Sequence, residues 1–270
     1  LSGQSPLYDL PFFYPFKNTL TYSDPFLSSG LMALVVRQLW SGASLIAQVN
    51  LQLIAGTILY LLSLYWLIRT LGGRGAAAIL LSVIGTFVPL RFVYVVHVHT
   101  YLIFAIPLSI ACFIHYNQSG QKRFLLGFAA AYLFQMANAP MTAYFFMITI
   151  ALYALFQRQW WGTLIRDRWQ QLVFAGLLFL SVALYLPYWS QAASEQSFRT
   201  IRDAAHFSYS IERLGGWDVV ALVSFTIVLF VTMRKSKKTL RQLLPWWCIA
   251  LVGLVAMLGP VVKVDEQTLR

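Results

Sequence analysis

The sequence predicts an all-α fold: a polytopic transmembrane helix bundle of about eight spans, with outer-face loops and short interfacial helices. Three observations lead there. Of its 270 residues, 59% are hydrophobic and 11% charged, whereas a water-soluble domain carries about 25% charged residues. Several apolar runs reach the roughly 20 residues that a helix needs to cross the hydrocarbon core. The charges, finally, sort by sign along the chain. No strand-length alternation repeats, which sets a β-barrel aside, and no internal repeat of the kind that marks many transporters is visible.

Four short linkers hold 12 of the 20 Lys and Arg: Arg69 and Arg74; Lys122 and Arg123; Arg158, Arg166 and Arg168; Arg234, Lys235, Lys237, Lys238 and Arg241. Their only acid is Asp167, so they account for the whole net charge of +11. The remaining 8 basic and 8 acidic residues lie in the alternating segments and cancel. Lys and Arg are retained on the cytoplasmic side during insertion, so the basic linkers are predicted to be cytoplasmic and the acid-bearing segments outer. Basic residues beside apolar spans meet anionic headgroups, and no nucleic-acid site is read from them.

The first outer segment, residues 1–44, contains Tyr8-Asp9-Leu10-Pro11-Phe12-Phe13-Tyr14-Pro15-Phe16 and continues through Lys17 to Pro25. Its prolines and aromatics suit a loop at headgroup level. Ser23 or Asp24 is the expected cap of a following helix, with Pro25 at its first position, running through Leu31 to Trp40. That helix is short and carries Arg37, so it is expected to lie on the membrane. The bundle proper is predicted over 45–262, with a tail at 263–270. Residues 45–68 and 172–189 qualify as spans directly, as do 217–233 and 243–262. The apolar stretches 75–116 and 124–156 are too long for one helix each. Charge parity returns the chain to the same side after each, so each is divided: 75–92 with 100–116, and 124–138 with 141–156. The breaks fall at Arg91 to Thr100 and at Asn138-Ala139-Pro140. Cys112 and Cys248 lie inside apolar runs and read as packing residues rather than a disulfide framework. A chain opening at Leu1 with no signal pattern reads as an internal fragment.

Candidate chemistry lies in the outer segments. Asp24 is either a helix cap or a carboxylate presented to a ligand at the lipid boundary. Arg91 at a helix end is a phosphate clamp or a headgroup-snorkelling cation. His97 and His99 share a face only if extended, where they would be a metal pair; otherwise they are interfacial or hydrogen-bond a substrate. No third ligand is nearby, so no metal site and no cofactor are assigned, and a divalent metal is left open. In the last outer loop, Glu195, Arg199, Arg202, Asp203 and His206 recur at helical steps. They form either a solvated salt-bridged stripe or part of an acceptor or phosphate site.

The run Phe13-Tyr14-Pro15 through Lys17-Asn18-Thr19-Leu20 to Tyr22-Ser23-Asp24 is followed after one span by Arg91-Phe92 with His97 and His99. Together with the break at Gln135 to Pro140 and the Leu186-Pro187-Tyr188 helix end, it is similar to bacterial polytopic membrane proteins of the GT-C glycosyltransferase superfamily. The resemblance covers nearly the whole chain. It implies transfer of a sugar from a polyprenyl-phosphate donor to an acceptor glycan, lipid or protein on the outer face of a bacterial cytoplasmic membrane. Asp24 and Asp9 are then the candidate catalytic carboxylates of the first outer loop. Arg91, His97, His99, Arg202, Tyr22 and Asn18 are the candidate substrate contacts, and membrane lipids are the surroundings. Such transfer needs a carboxylate for the acceptor or the oxocarbenium-like centre and cations for the departing phosphate. The alternatives are a lipid or saccharide transporter or flippase, and a noncatalytic envelope scaffold. Transport calls for ionisable groups at mid-bilayer. The sequence places no Asp, Glu, Lys or Arg in the middle of any predicted span, only Gln48, Asn50 and Gln52 near one end of the first.

Overall fold

The structure, a computed structural model, describes residues 24–73, 75–88, 91–92, 95, 97–156 and 167–195, with 245, 248, 249, 252, 263, 264, 267 and 268 beyond them. Among these residues the fold is helical, apart from a two-residue antiparallel pairing of Lys263–Val264 with Gln267–Thr268. Seven helices of 12 residues or more are described: α1 Leu27–Leu39, α2 Leu45–Thr70, α3 Gly75–Thr86, α4 Ala105–Ser119, α5 Lys122–Asn138, α6 Pro140–Leu155 and α7 Arg168–Glu195. A single helical turn, Val98–Tyr101, lies between α3 and α4. The predicted spans 217–233 and 243–262, the linker 234–241 and most of the loop 190–217 lie outside the described residues.

Among the described residues two helices, α2 and α7, are long and apolar enough to cross a membrane. The Ser44 side chain opens α2 by accepting the Ala47 N–H at 3.2 Å. At its end Gly72, at φ 98°, donates to Arg69 O and Gly73 donates to Ile68 O, a Schellman arrangement that satisfies two otherwise orphaned carbonyls. Asp167 caps α7, accepting the Trp169 N–H at 2.9 Å. The sequence ended this span at residue 189 with the Leu186-Pro187-Tyr188 break, but α7 runs through Pro187 to Glu195. In a spanning helix the lost proline bond is one that neighbouring groups re-satisfy.

The stretches expected to contain two helices each do contain two. Pro140 ends α5 and opens α6: a proline disfavours helical geometry for Ala139 and fits the first position of the next helix. The other stretch divides earlier than expected. α3 stops at Thr86 after 12 residues, a rise of about 18 Å against a core of about 30 Å. The expected span ran to residue 92 across Pro89, which disfavours helical geometry at Val88.

α1 also begins later than expected. Its N-cap is Phe26, in the left-handed region at φ 51° and with no side-chain cap, so Asp24 does not hold the capping role read from sequence and Pro25 is not the first helical residue; Ser23, the other expected cap, lies outside the described residues. α1 docks on the bundle instead: Ser28 Oγ donates to Phe134 O at 2.7 Å and Ser29 Oγ donates to Asn138 Oδ1. Met32 packs against Phe104, Ala105 and Ala131, and Leu31, Leu34 and Val35 remain exposed.

The tightest pairing is α4 on α5. Gly127 permits it, since a Cβ there would stand 2.9 Å from Cys112 Sγ. Ser109 Oγ ties the pair by donating to Phe128 O at 3.1 Å. Phe113, Phe128, Phe146 and Tyr153 fill the core between α4, α5 and α6. Cys112 is buried and free within it; Cys248 is free as well.

Among the described residues, parts of three basic linkers meet at one end. His115 stacks between Trp66 and Phe124 with centroids 5.5 and 4.9 Å away, and its Nε2 lies 2.9 Å from Thr70 Oγ1. Lys122 stands 4.7 Å over Trp169, and the Tyr116 hydroxyl donates to Asp167 Oδ2 at 2.7 Å. That hydrogen bond holds the Asp167 carboxyl below its ordinary value of 3.8. The starts of α5 and α7 and the end of α2 therefore share this end, and the ends of α5 and α7 lie away from it.

Candidate functional site

Arg91 follows the end of α3, its N–H bonded to Val88 O at 3.1 Å. The sequence placed it at an outer helix end, but only 8% of it is exposed. Two tyrosine rings cover its guanidinium: Cζ lies 4.3 Å from the Tyr60 centroid and 4.2 Å from that of Tyr101. Such contacts are worth about 2 kcal/mol or more when desolvated.

Each ring is placed by its own neighbours. Tyr60 belongs to α2 and packs against the cluster of Phe104, Ala105 and Ala131. The Tyr101 hydroxyl lies 2.7 Å from Thr57 Oγ1. Thr57 sends its one proton to Leu53 O at 2.8 Å, so Tyr101 is the donor in their bond. The next residue, Leu102, is fully buried over Gly56, where a Cβ would stand 2.2 Å from Leu102 Cδ2. Gly56 and Thr57 on α2 thus seat the turn that carries Tyr101.

The polar edges of the guanidinium are not equivalent. Nη1 donates to Thr86 O at 3.2 Å, while Nε and Nη2 are buried with no hydrogen-bond partner. Those two nitrogens form the side-on fork that matches two oxygens of a phosphate or carboxylate. The tyrosines cover the faces of the cation and leave its edge open. Desolvating a charge without an anionic partner is costly, which makes this buried, open-edged cation the candidate site among the described residues.

A second buried group lacks partners. Gln135, on α5, is fully buried, and neither its Oε1 nor its Nε2 is hydrogen-bonded. It follows Phe134, which packs 4.9 Å from Phe104, and sits one helical turn beyond Ala131. Asn138, three residues on, is also fully buried and accepts from Ser29.

The other candidates are distributed differently. Asp24 is partly exposed and acts electrostatically on Tyr185 of α7, as do Tyr132 and Tyr144. It does not bond the free edge of Arg91. Tyr185 in turn stacks on Trp189 at 6.3 Å. His97 is exposed at the start of the helical turn, and the helical backbone from Val98 removes the extended geometry in which His97 and His99 would form a metal pair. Among the described residues no group of three or more His, Cys, Asp or Glu could hold a metal ion. Asp9, Asn18, Tyr22 and Arg202 lie outside the described residues.

Tyr60, Thr57, Tyr101 and Gln135 were not singled out from sequence as contacts. A tyrosine within the first apolar run and a glutamine one turn before a proline break were the available signals. No protein-family model, curated protein or solved structure matches this chain.

Proposed function

We propose that this protein is a multi-pass membrane glycosyltransferase of the GT-C kind, with about eight spans in a bacterial cytoplasmic membrane. It moves a sugar from a polyprenyl-phosphate donor to an acceptor at the outer face. The observation that carries this reading is the open Nε and Nη2 edge of Arg91, a buried two-pronged donor suited to the departing phosphate. Asp24 serves as the carboxylate that activates the acceptor, with Asp9, Asn18, Tyr22, His97, His99 and Arg202 supplying further contacts from the outer loops.

The test is transfer of labelled sugar from a polyprenyl-phosphate donor in membrane vesicles, comparing the parent with Arg91→Gln and Asp24→Asn. Both variants should lose transfer by at least a hundredfold, about the effect of removing one preorganised charge-stabilising group. Arg91→Gln should keep or raise the melting temperature, since it removes a buried charge without a counter-ion. Full transfer by Arg91→Gln would sink the assignment.

One observation favours the second reading, transport of a lipid-linked saccharide. Arg91 packs beside Tyr60, well inside α2, so the bundle interior does hold the ionisable group that transport calls for. Arg91-dependent flipping of a labelled lipid in proteoliposomes, with no sugar transferred, would select transport over transfer.

A further inference from the structure

The middle of α2 shows how deep the break between α3 and α4 lies. Thr57 stands twelve residues from Leu45 and thirteen from Thr70, so it marks the centre of this 26-residue helix. A helix of that length rises about 39 Å against a hydrocarbon core of about 30 Å, which puts its centre near mid-bilayer. The Tyr101 hydroxyl bonds Thr57 at 2.7 Å, and Leu102 sits over Gly56. Tyr60, about one turn further along α2, carries Arg91 on its ring. The turn through Tyr101 and the guanidinium are therefore both held near the middle of the membrane that α2 crosses.

Between α3 and α4 the described residues Phe87, Val88, Val95, His97, Leu102 and Ile103 lie outside regular helix. At membrane depth such backbone persists where protein buries it or where it lines water, and not against lipid tails. Leu102 is buried by protein, but His97, whose carbonyl accepts the Tyr101 N–H at 3.0 Å, is exposed. Towards the basic end the space is closed by packing: Ile68 clusters with Ala78 and Leu81 of α3, and Trp66 stacks on His115 of α4. Water can then enter only from the opposite end.

We propose that this break floors an aqueous vestibule open towards the Leu45 end of α2, the outer face in the proposed orientation, and that the anion received by Arg91 reaches it through water at mid-membrane depth. The proposal deepens the reading of Arg91 as an anion contact and rests on it. The charged head of the ligand crosses no lipid on its way to the open Nε and Nη2 edge.

Thiol labelling of the full chain in intact cells tests it, with Cys112 and Cys248 replaced. The probes are two membrane-impermeant methanethiosulfonates, one carrying a sulfonate and one a trimethylammonium. Both need a thiolate, which forms in water and not in hydrocarbon. His97→Cys should react within about tenfold of the rate at exposed Ser41→Cys. Ile58→Cys, next to Thr57 and equally deep but on an exposed apolar position, should react at least about a hundredfold more slowly. Relative to Ser41→Cys, the cysteine at 97 should favour the sulfonate by at least about threefold, and Arg91→Gln should abolish that preference. Hydroxyl-radical footprinting of the unaltered chain is the independent measurement: His97 should be oxidised and Ile58 spared. A cysteine at 97 as unreactive as the one at 58, with His97 spared by the radicals, overturns the vestibule. Equal reactivity at 97 and 58 also overturns it, since the middle of α2 would not then lie in lipid. A sulfonate preference that is absent, or that survives Arg91→Gln, disconnects the water from the cation and overturns the proposal as well. If Arg91→Gln keeps full sugar transfer while the labelling pattern holds, the transferase reading falls and the vestibule stands.

Discussion

Gly56→Ala separates what a helix prefers locally from what this bundle requires. In a helix interior alanine is better than glycine by about 1 kcal/mol, so propensity alone makes the variant more stable. The structure reverses the sign. The new Cβ would stand 2.2 Å from Leu102 Cδ2 and 3.7 Å from Cγ, whereas carbon atoms need about 3.5 to 4.0 Å. Leu102 is fully buried and cannot swing outward, so it must shift and carry the neighbouring Tyr101 with it. Overpacking of this kind costs about 1 to 3 kcal/mol. Set against the propensity gain, and taken at the upper end because the site is closed, the net loss is about 1 to 2 kcal/mol. Thermal melting in one detergent is the assay, run as a double-mutant cycle with Leu102→Ala. That substitution alone should cost about 2 to 5 kcal/mol, and in its background Gly56→Ala should become neutral or stabilising, for a coupling of about 2 kcal/mol. A higher melting temperature for Gly56→Ala alone, or additive effects in the cycle, would refute the seating of Leu102 on Gly56.

Three further outcomes are expected. With Cys112 and Cys248 replaced, a membrane-impermeant thiol reagent applied to intact cells should label a cysteine at Ser41 and miss one at Asn117, both exposed; labelling of Asn117 would overturn the placement of the basic end in the cytoplasm. Tyr116→Phe should lower the melting temperature at pH 7, by a small, salt-screened amount because Asp167 is partly exposed. The Asp167 carboxyl is held below its ordinary 3.8, so its contribution is complete above that pH and is lost as pH falls through the folded value. The gap between parent and variant should therefore close in acid, and a gap constant from pH 7 to below about 3.8 would contradict the pairing. Asp24→Ala should cost less than the roughly 0.5 to 2 kcal/mol of a lost cap, because Phe26 holds that position; a full cap-sized loss would restore the capping role.

The features legible in the sequence were those with a local physical cause. Pro140 announces its break wherever the chain folds, because it lacks an N–H and constrains Ala139. Pro89 places the same constraint on Val88, and apolar length alone extends α3 past it. Charge also travels well: the linkers around Arg69, Lys122 and Arg168 do gather at one end, since the rule that sorts them acts on each linker separately. The features that stayed hidden are set by distant residues. Capping preference suggested Asp24, but docking of Ser28 and Ser29 on α5 sets where α1 begins. Arg91 looked like an outer-face cation because nothing near it in sequence reveals that Tyr60 lies 4.3 Å below it.

Arg91 is also where stability and function part company. A buried ion pair seldom stabilises more than an apolar replacement, and a buried cation with no anion is worse. Two tyrosine faces and the Thr86 carbonyl offset part of the desolvation, yet they leave unbonded the two nitrogens best arranged to grip an oxyanion. Were packing the purpose, a leucine or methionine would fill the space between Tyr60 and Tyr101 at lower cost. The fold instead spends Gly56, Thr57 and the turn through Leu102 on holding Tyr101 against this one cation. Transfer and transport both call for a preformed receptor for an anion inside the bundle, and a scaffold calls for none. The arrangement around Arg91 therefore favours the proposed anion receptor over the scaffold, and labelled-sugar transfer against lipid flipping is the comparison that separates the two proposed readings.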